Sequence, residues 1–357
     1  MPSPIVASMA KSLLRRASRN LGVADPVSVV SRVLDESLSF RVGEQRGNPF
    51  APSFAETVPE SLGFQVAADG PGVTAADRVE TSTRALQDVV GANFGPRALS
   101  WLDGKLEEVR GPDYRRSAHY GASFGSSFDR DGVTESYAQY EWGPTMIDTL
   151  PAPLLRTVRV AMQDLPALQP AFSTIRCGRS SGSQQVSFTL DRPLPLAALQ
   201  PLMEHLGLGS RHASLMSALG FVLGARFTLP ADSALLTLRP THAGIELRLD
   251  VNLDALPDPP AHLIALMRLQ MTERPKSLQG LDRWLMALTP DGYPGPGTVS
   301  VLSAWVRADH AARIAIYLRP ALFDAEAAQR DGVARDVPAH GSALGIDSDL
   351  PEWSPIH

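Results

Sequence analysis

Residues 244–256 read GIELRLDVNLDAL. Ile245, Leu247, Leu249, Val251 and Leu253 alternate with Glu246, Arg248, Asp250, Asn252 and Asp254. Side chains on an extended chain point to opposite faces in turn, so this stretch predicts a strand with one apolar and one polar face. ALLTLRP (234–240) precedes it across the tight link Thr241-His242-Ala243-Gly244, which makes the two a hairpin.

The same pattern recurs in both directions. SLSFRVGEQ (37–45) sets Leu38, Phe40 and Val42 against Ser39, Arg41 and Gly43, and SLGFQVA (61–67) sets Leu62, Phe64 and Val66 against Ser61, Gly63 and Gln65. Residues 116–128 and 134–142 flank an Asp-Arg-Asp-Gly turn. Residues 172–177 and QQVSFTLD (184–191) flank the glycine-serine turn 178–183. TVSVLSAWVRAD (298–309) turns at Asp309-His310 into ARIAIYLRP (312–320), where Arg313, Ala315, Tyr317 and Arg319 share the polar face.

Helical periodicity fills the gaps: 74–109 with a break at Gly95-Pro96, 145–164, 196–223, and 260–288 with a break at Arg274-Pro275. The order is ββα four times and a closing ββ pair. Helices need an apolar sheet face beneath them. The polar faces carry few lysines and many Arg, Gln, Ser, Thr and Tyr. Closing the sheet with helices outside turns those faces into a wet lumen and removes the exposed edges. The predicted fold is therefore α+β, a closed antiparallel barrel of about ten strands from five ββ pairs; an open sheet with its polar face in solvent is the alternative. Residues 1–36 are expected to form an N-terminal helical segment, 37–322 the barrel, and 323–357 a poorly ordered acidic tail.

Composition narrows the class of function. The 357-residue chain is 44% hydrophobic and 20% charged, as in a globular protein, and a formal net charge of −5 argues against nucleic-acid binding. One cysteine, Cys177, excludes an intrachain disulfide and a cysteine-rich metal site. No apolar run spans a bilayer, and a cytoplasmic setting is expected. The basic start, with Lys11, Arg15, Arg16 and Arg19, reads as a surface helix. Gly178-Arg179-Ser180-Ser181-Gly182 fits G-x-S-x-G, but a strand rather than a helix follows it.

Element order, strand polarity and the Arg/Tyr positions, notably Tyr317-Leu318-Arg319 and the strand holding Arg248, resemble the ABBA aromatic prenyltransferases over about residues 37–322. That family moves an isoprenyl group from an allylic diphosphate to an electron-rich aromatic acceptor inside an antiparallel barrel. The resemblance implies an allylic diphosphate donor and an aromatic small-molecule or peptide acceptor as partners, with no nucleic acid and no membrane. Lysines are scarce on these strands; the Lys-x-Tyr patterns common in the family stand here as arginine-bearing variants. No metal ligand set is identified; magnesium is possible but not required.

Such a lumen needs cations for the leaving group, and Arg41, Arg176, Arg239, Arg248, Arg313 and Arg319 are the candidates. Arg307 shares a face with Val299, Val301 and Trp305, so its direction is open. Tyr137 and Tyr317 are candidates to shield an allylic cation, whereas Tyr120 and Tyr140 alternate with apolar residues as core positions do. Glu246, Glu135 and Glu141 are candidate bases, each also a natural salt-bridge partner for a lumen arginine. The alternative function is a non-catalytic barrel that binds a small ligand or peptide, with a Ser180 hydrolase as a further enzyme rival.

Overall fold

In the computed structural model, which describes residues 5–44 and 47–323, five hairpins bury one face each and expose the other to a shared interior. They are β1 (Phe50–Ala55) with β2 (Leu62–Val66), β3 (Ala122–Asp129) with β4 (Gly132–Glu141), β5 (Leu168–Gly178) with β6 (Gly182–Leu190), β9 (Ala234–Thr241) with β10 (Gly244–Asn252), and β11 (Gly297–Arg307) with β12 (His310–Pro320). The two-residue strands β7 (Leu194–Pro195) and β8 (Thr228–Leu229) pair with each other outside this set. The ten long strands close in the order β1-β12-β11-β10-β9-β6-β5-β4-β3-β2. Closure joins the first strand to the last, Ser53 opposite Tyr317 and Phe54 opposite Ile316. All five hairpin turns lie at one end of the barrel, and the helical crossovers leave from the other.

The outer face carries Phe54, Phe64, Phe124, Phe128 and Phe188, all buried. Each fully buried ring contributes roughly 1.5–3 kcal/mol relative to exposure. The covering helices include α1 (Val6–Leu21), α2 (Val27–Ser37), α3 (Ala75–Phe94), α4 (Pro96–Lys105), α5 (Pro112–Ser117), α6 (Met146–Thr149), α7 (Ala152–Asp164), α8 (Gln200–His205), α9 (His212–Val222), α10 (Leu263–Gln270) and α11 (Pro275–Leu288). A capping box between Thr74 and Asp77 starts α3. In its middle Thr83 meets the hydroxyl of Tyr140 at 3.0 Å, so Tyr140 is an outer-face core residue. Trp284 of α11 packs on Phe54 with ring centroids 5.9 Å apart. The basic start of the chain buries Ala10, Leu13, Leu14 and Ala17 along α1. Arg16 donates to the carbonyl of Leu288 at the end of α11, 3.3 Å away.

The first expected strand is corrected. SLSFRV owes its alternation to a helix end and a loop: Leu38 closes α2, and Phe40 packs on Gly70. Both are buried, yet only an isolated bridge, Arg41 to Ile5, is extended there. β1 is instead FAPSFA, where Pro52 is tolerated because β12 pairs with β1 only from Ser53 onward. Residues 112–117 form α5, so the next strand starts at Ala122. The helix expected over 196–223 is divided between α8 and α9, with Gly207 at φ 72° between them. Ser180 sits in the β5–β6 turn. The tail expected over 323–357 lies, but for Phe323, outside the described residues, and no helix among those described is long and apolar enough to cross a membrane.

Candidate active site

Strand register places Tyr137 beside Arg176 across β4 and β5, Arg248 beside Trp305 across β10 and β11, and Tyr317 beside Ser53 across the closing seam. All of these face the lumen. At the hairpin-turn end the lumen widens to a chamber of about 360 Å³ lined by Glu135, Tyr137, Arg176, Arg239, Glu246, Arg248 and Tyr317, among others. Deeper in, it narrows to about 40 Å³ between Gln65, Gln139, Thr174, Gln185, Asp250 and the same two tyrosines.

Two arginine–tyrosine couples stand at the junction. The guanidinium carbon of Arg176 lies 4.5 Å from the Tyr137 ring centroid. That ring crosses Gly125, its partner on β3, where any Cβ would overlap it. Arg248 donates from Nη2 to the Tyr317 hydroxyl (3.0 Å) and to the Ser303 hydroxyl (2.9 Å), and from Nε to Asp250 Oδ1 (2.6 Å). Ser303 also donates to that carboxylate, so Asp250 is shared by an arginine and a hydroxyl.

Each of these cations meets an acid. Arg176 is ion-paired with Glu135, and Arg239 with Glu246 at 2.9 Å. Burial alone would raise the Glu135 carboxyl, but Arg176 beside it outweighs that and holds it below the ordinary carboxylate range. Burial, reinforced by Tyr317, pushes the Tyr137 phenol well above its usual value, so it stays neutral. Burial disfavours charge on Arg248, but Asp250 and Tyr317 more than restore it. The Nε groups of Arg176 and Arg239 and the Thr174 hydroxyl are buried with no hydrogen-bond partner among the described residues. Buried donors left open in this way favour an acceptor-rich ligand.

The inner end differs in character. Gln65 donates to Ser123 at 2.7 Å and to Gln139 at 3.3 Å, and Ser187 meets Thr237 at 2.7 Å. Beyond these, Tyr120 packs edge-on against Phe172, with Leu235 alongside.

No protein-family model matches the chain, and a comparison with curated proteins finds no match. Solved structures do match. Prenyltransferase PriB in its binary complex with product diphosphate superposes with a TM-score of 0.66 over 90% of this chain and 97% of its own, at 14% identity. The fold is the ABBA prenyltransferase barrel. The 5-dimethylallyltryptophan synthase from Streptomyces coelicolor shares it with a TM-score of 0.61 at 16% identity, over 90% of this chain and 99% of that one. The 6-dimethylallyltryptophan synthase from Micromonospora olivasterospora, in complex with DMASPP and Trp, gives 0.64 at 13% identity, with 90% and 99% covered.

Within this ABBA barrel, Arg176, Arg239, Arg248, Glu135, Glu246, Tyr137 and Tyr317 converge on one chamber. Four other expected residues do not. Arg41 is exposed outside the barrel, because its segment is not a strand. Glu141 faces the opposite end and accepts the backbone N–H groups of His119, Tyr120 and Gly121 at 2.7–2.9 Å, a loop anchor rather than a free base. Arg313 turns toward Glu56, 3.9 Å away, a buried carboxylate that also faces Arg274. Arg319 pairs with Asp254 at the crossover end, six residues along β12 from Arg313, about 20 Å at strand rise. One diphosphate cannot reach both.

Sequence reasoning missed Asp250 as an arginine partner, the Ser123–Gln65–Gln139 cluster, and His310 at the chamber mouth, and it left open the direction of Arg307, which also lines the mouth. Alternation puts Arg307 on the same face as Trp305, and both line the chamber; the pairing is irregular between them. Phe172 and Leu235 interrupt otherwise polar lumen faces, and that interruption was the available signal for the apolar inner cluster. Among the described residues no group of three or more His, Cys, Asp or Glu side chains is placed to hold a metal ion.

Proposed function

We propose that the chain is an aromatic prenyltransferase that takes an allylic diphosphate and an aromatic acceptor into the chamber at the hairpin-turn end. The observation that carries this reading is the convergence of Arg176, Arg239 and Arg248 with Tyr137 and Tyr317 in one lumen. Similarity in fold to PriB, solved with product diphosphate, and to a synthase solved with DMASPP and Trp supports it.

In this reading the donor's C–O bond breaks and its electron pair leaves with the diphosphate, whose growing charge faces the three guanidinium groups. The Tyr137 and Tyr317 rings flank the allylic cation and keep water from it. A ring carbon of the acceptor forms the new C–C bond, and the proton on that carbon passes to a base, restoring aromaticity. Glu135 and Glu246 are the chamber carboxylates within reach of that role.

A non-catalytic barrel that binds a ligand or peptide is the second reading. It is favoured by one observation: Arg176, Arg239 and Arg248 each already have a carboxylate partner. Incubation with dimethylallyl diphosphate and a panel of indoles, phenols and tryptophan-containing peptides separates the two. A product heavier by one C5H8 unit supports the transferase. Folded protein that binds acceptors but forms no such product supports the plain binding barrel.

A further inference from the structure

We propose that the groove between α11 and the β1–β2 turn is an acceptor-extension site that takes the carboxylate-bearing arm of a peptide-type acceptor; this rests on the transferase reading above. The groove has a volume of about 510 Å³ and is lined by Val58, Glu60 and Ser61 of the turn and by Lys276, Gln279 and Arg283 of the helix. It continues the lumen, because Val58 and Thr134 line both cavities.

The lumen chamber is small for two ligands. A pocket for one drug-sized ligand measures roughly 300–1,000 Å³. The lumen chamber, at about 360 Å³, lies near the bottom of that range, and a donor and an acceptor must share it. An acceptor longer than its aromatic group therefore has to extend past Val58 and Thr134, and the groove is what it meets.

The helical wall of the groove is cationic. Lys276, Gln279 and Arg283 recur at helical spacing on one side of α11. Gly280, on the adjacent part of that helix, allows close approach of the turn, since a Cβ there would overlap Pro59. Lys276 makes no ion pair among the described residues, and Arg283 has only the exposed Glu60, 3.5 Å away. Asp129, the other acid at the groove, is already neutralised by two 2.7 Å hydrogen bonds from Arg179. The groove is thus left with a positive excess at its helical wall, and the exposed amide of Gln279 can both donate to and accept from a peptide backbone. An aromatic side chain in the lumen with its backbone in the groove brings a terminal carboxylate to Lys276 and Arg283.

The test compares tryptophan-containing tripeptides with a free C-terminal carboxylate or a C-terminal carboxamide, measuring both prenylation and equilibrium binding by calorimetry. On the wild-type protein the carboxylate form is expected to show a KM and a dissociation constant about five- to tenfold lower than the carboxamide, the size of two exposed ion pairs. In the K276E/R283E variant that preference should vanish or reverse, and both side chains are exposed, so the fold should persist. Equal handling of the two peptides by the wild type, or a preference that survives in the variant, overturns the proposal. If no acceptor is prenylated, the transferase reading fails and the binding arm still decides: carboxylate-selective binding lost in K276E/R283E supports the site, and its absence overturns it.

Discussion

Arg176 lies over the face of Tyr137, its guanidinium carbon 4.5 Å from the ring centroid, while the same guanidinium is ion-paired with Glu135. The tyrosine is therefore polarised by a fixed cation on one side and open to the chamber on the other. Tyr137→Phe keeps the ring and should retain most activity. Tyr137→Ala removes a cation–π partner worth about 0.5–2 kcal/mol and should lower kcat/KM by roughly 2- to 30-fold. Steady-state kinetics with a fixed donor check this; equal losses in the two variants would contradict the shielding role.

Gly125 sits opposite Tyr137 and leaves the space its ring occupies. Gly125→Ala forces that ring aside at a cost of about 1–3 kcal/mol by over-packing. The expected result is a lower melting temperature together with a loss of activity at least as large as in Tyr137→Ala. A variant with native activity would show that the ring position does not matter.

Alternation in β4 makes Glu141 a candidate base, yet it accepts three consecutive backbone N–H groups. Glu141→Ala leaves those donors without their acceptor and should destabilise the protein by about 1–3 kcal/mol. The pH profile of the remaining activity should match the wild type. A shifted profile with unchanged thermal stability would restore Glu141 as a base.

The pH dependence of stability follows from Glu135. Burial would raise its carboxyl, but Arg176 outweighs burial and the folded value lies below the ordinary 4.5. A carboxyl depressed in the folded state stabilises above its unfolded value, and that contribution disappears as pH falls through the folded one. The melting-temperature difference between wild type and Glu135→Gln should therefore be largest above pH 4.5 and shrink below it. A difference that stays constant, or grows on acidification, would contradict the ion pair.

The barrel and seven of the eleven expected site residues were legible in the sequence because one physical rule governs both. Alternation assigns Arg248, Glu246, Tyr317 and Tyr137 to polar faces, and closure turns those faces inward. Alternation alone does not say whether a segment is a strand. Leu38 and Phe40 are buried by a helix end and by Gly70, and that took Arg41 with them. Nor does it give depth along the barrel: Arg313 and Arg319 share the face of Tyr317 but stand at its two ends, where Glu56 and Asp254 attract them. Asp250 stands two residues from Arg248 on the same strand face, so that pairing was within reach of alternation; its bond from Ser303, 53 residues away in the chain, was not. The continuation of the lumen into the α11 groove depends on how a turn meets a helix, which no local pattern encodes.

Arg176 and Arg248 are proposed to hold a diphosphate in this lumen. Calorimetric titration with dimethylallyl thiolodiphosphate, a non-hydrolysing donor analogue, tests it most directly. The wild-type protein should bind one equivalent, and Arg176→Ala and Arg248→Ala should each weaken binding by about 1.5–3 kcal/mol, roughly 10- to 150-fold, as expected for charge-assisted hydrogen bonds. A folded wild-type protein that takes up no analogue, or variants that bind it as tightly as the wild type, would contradict the account.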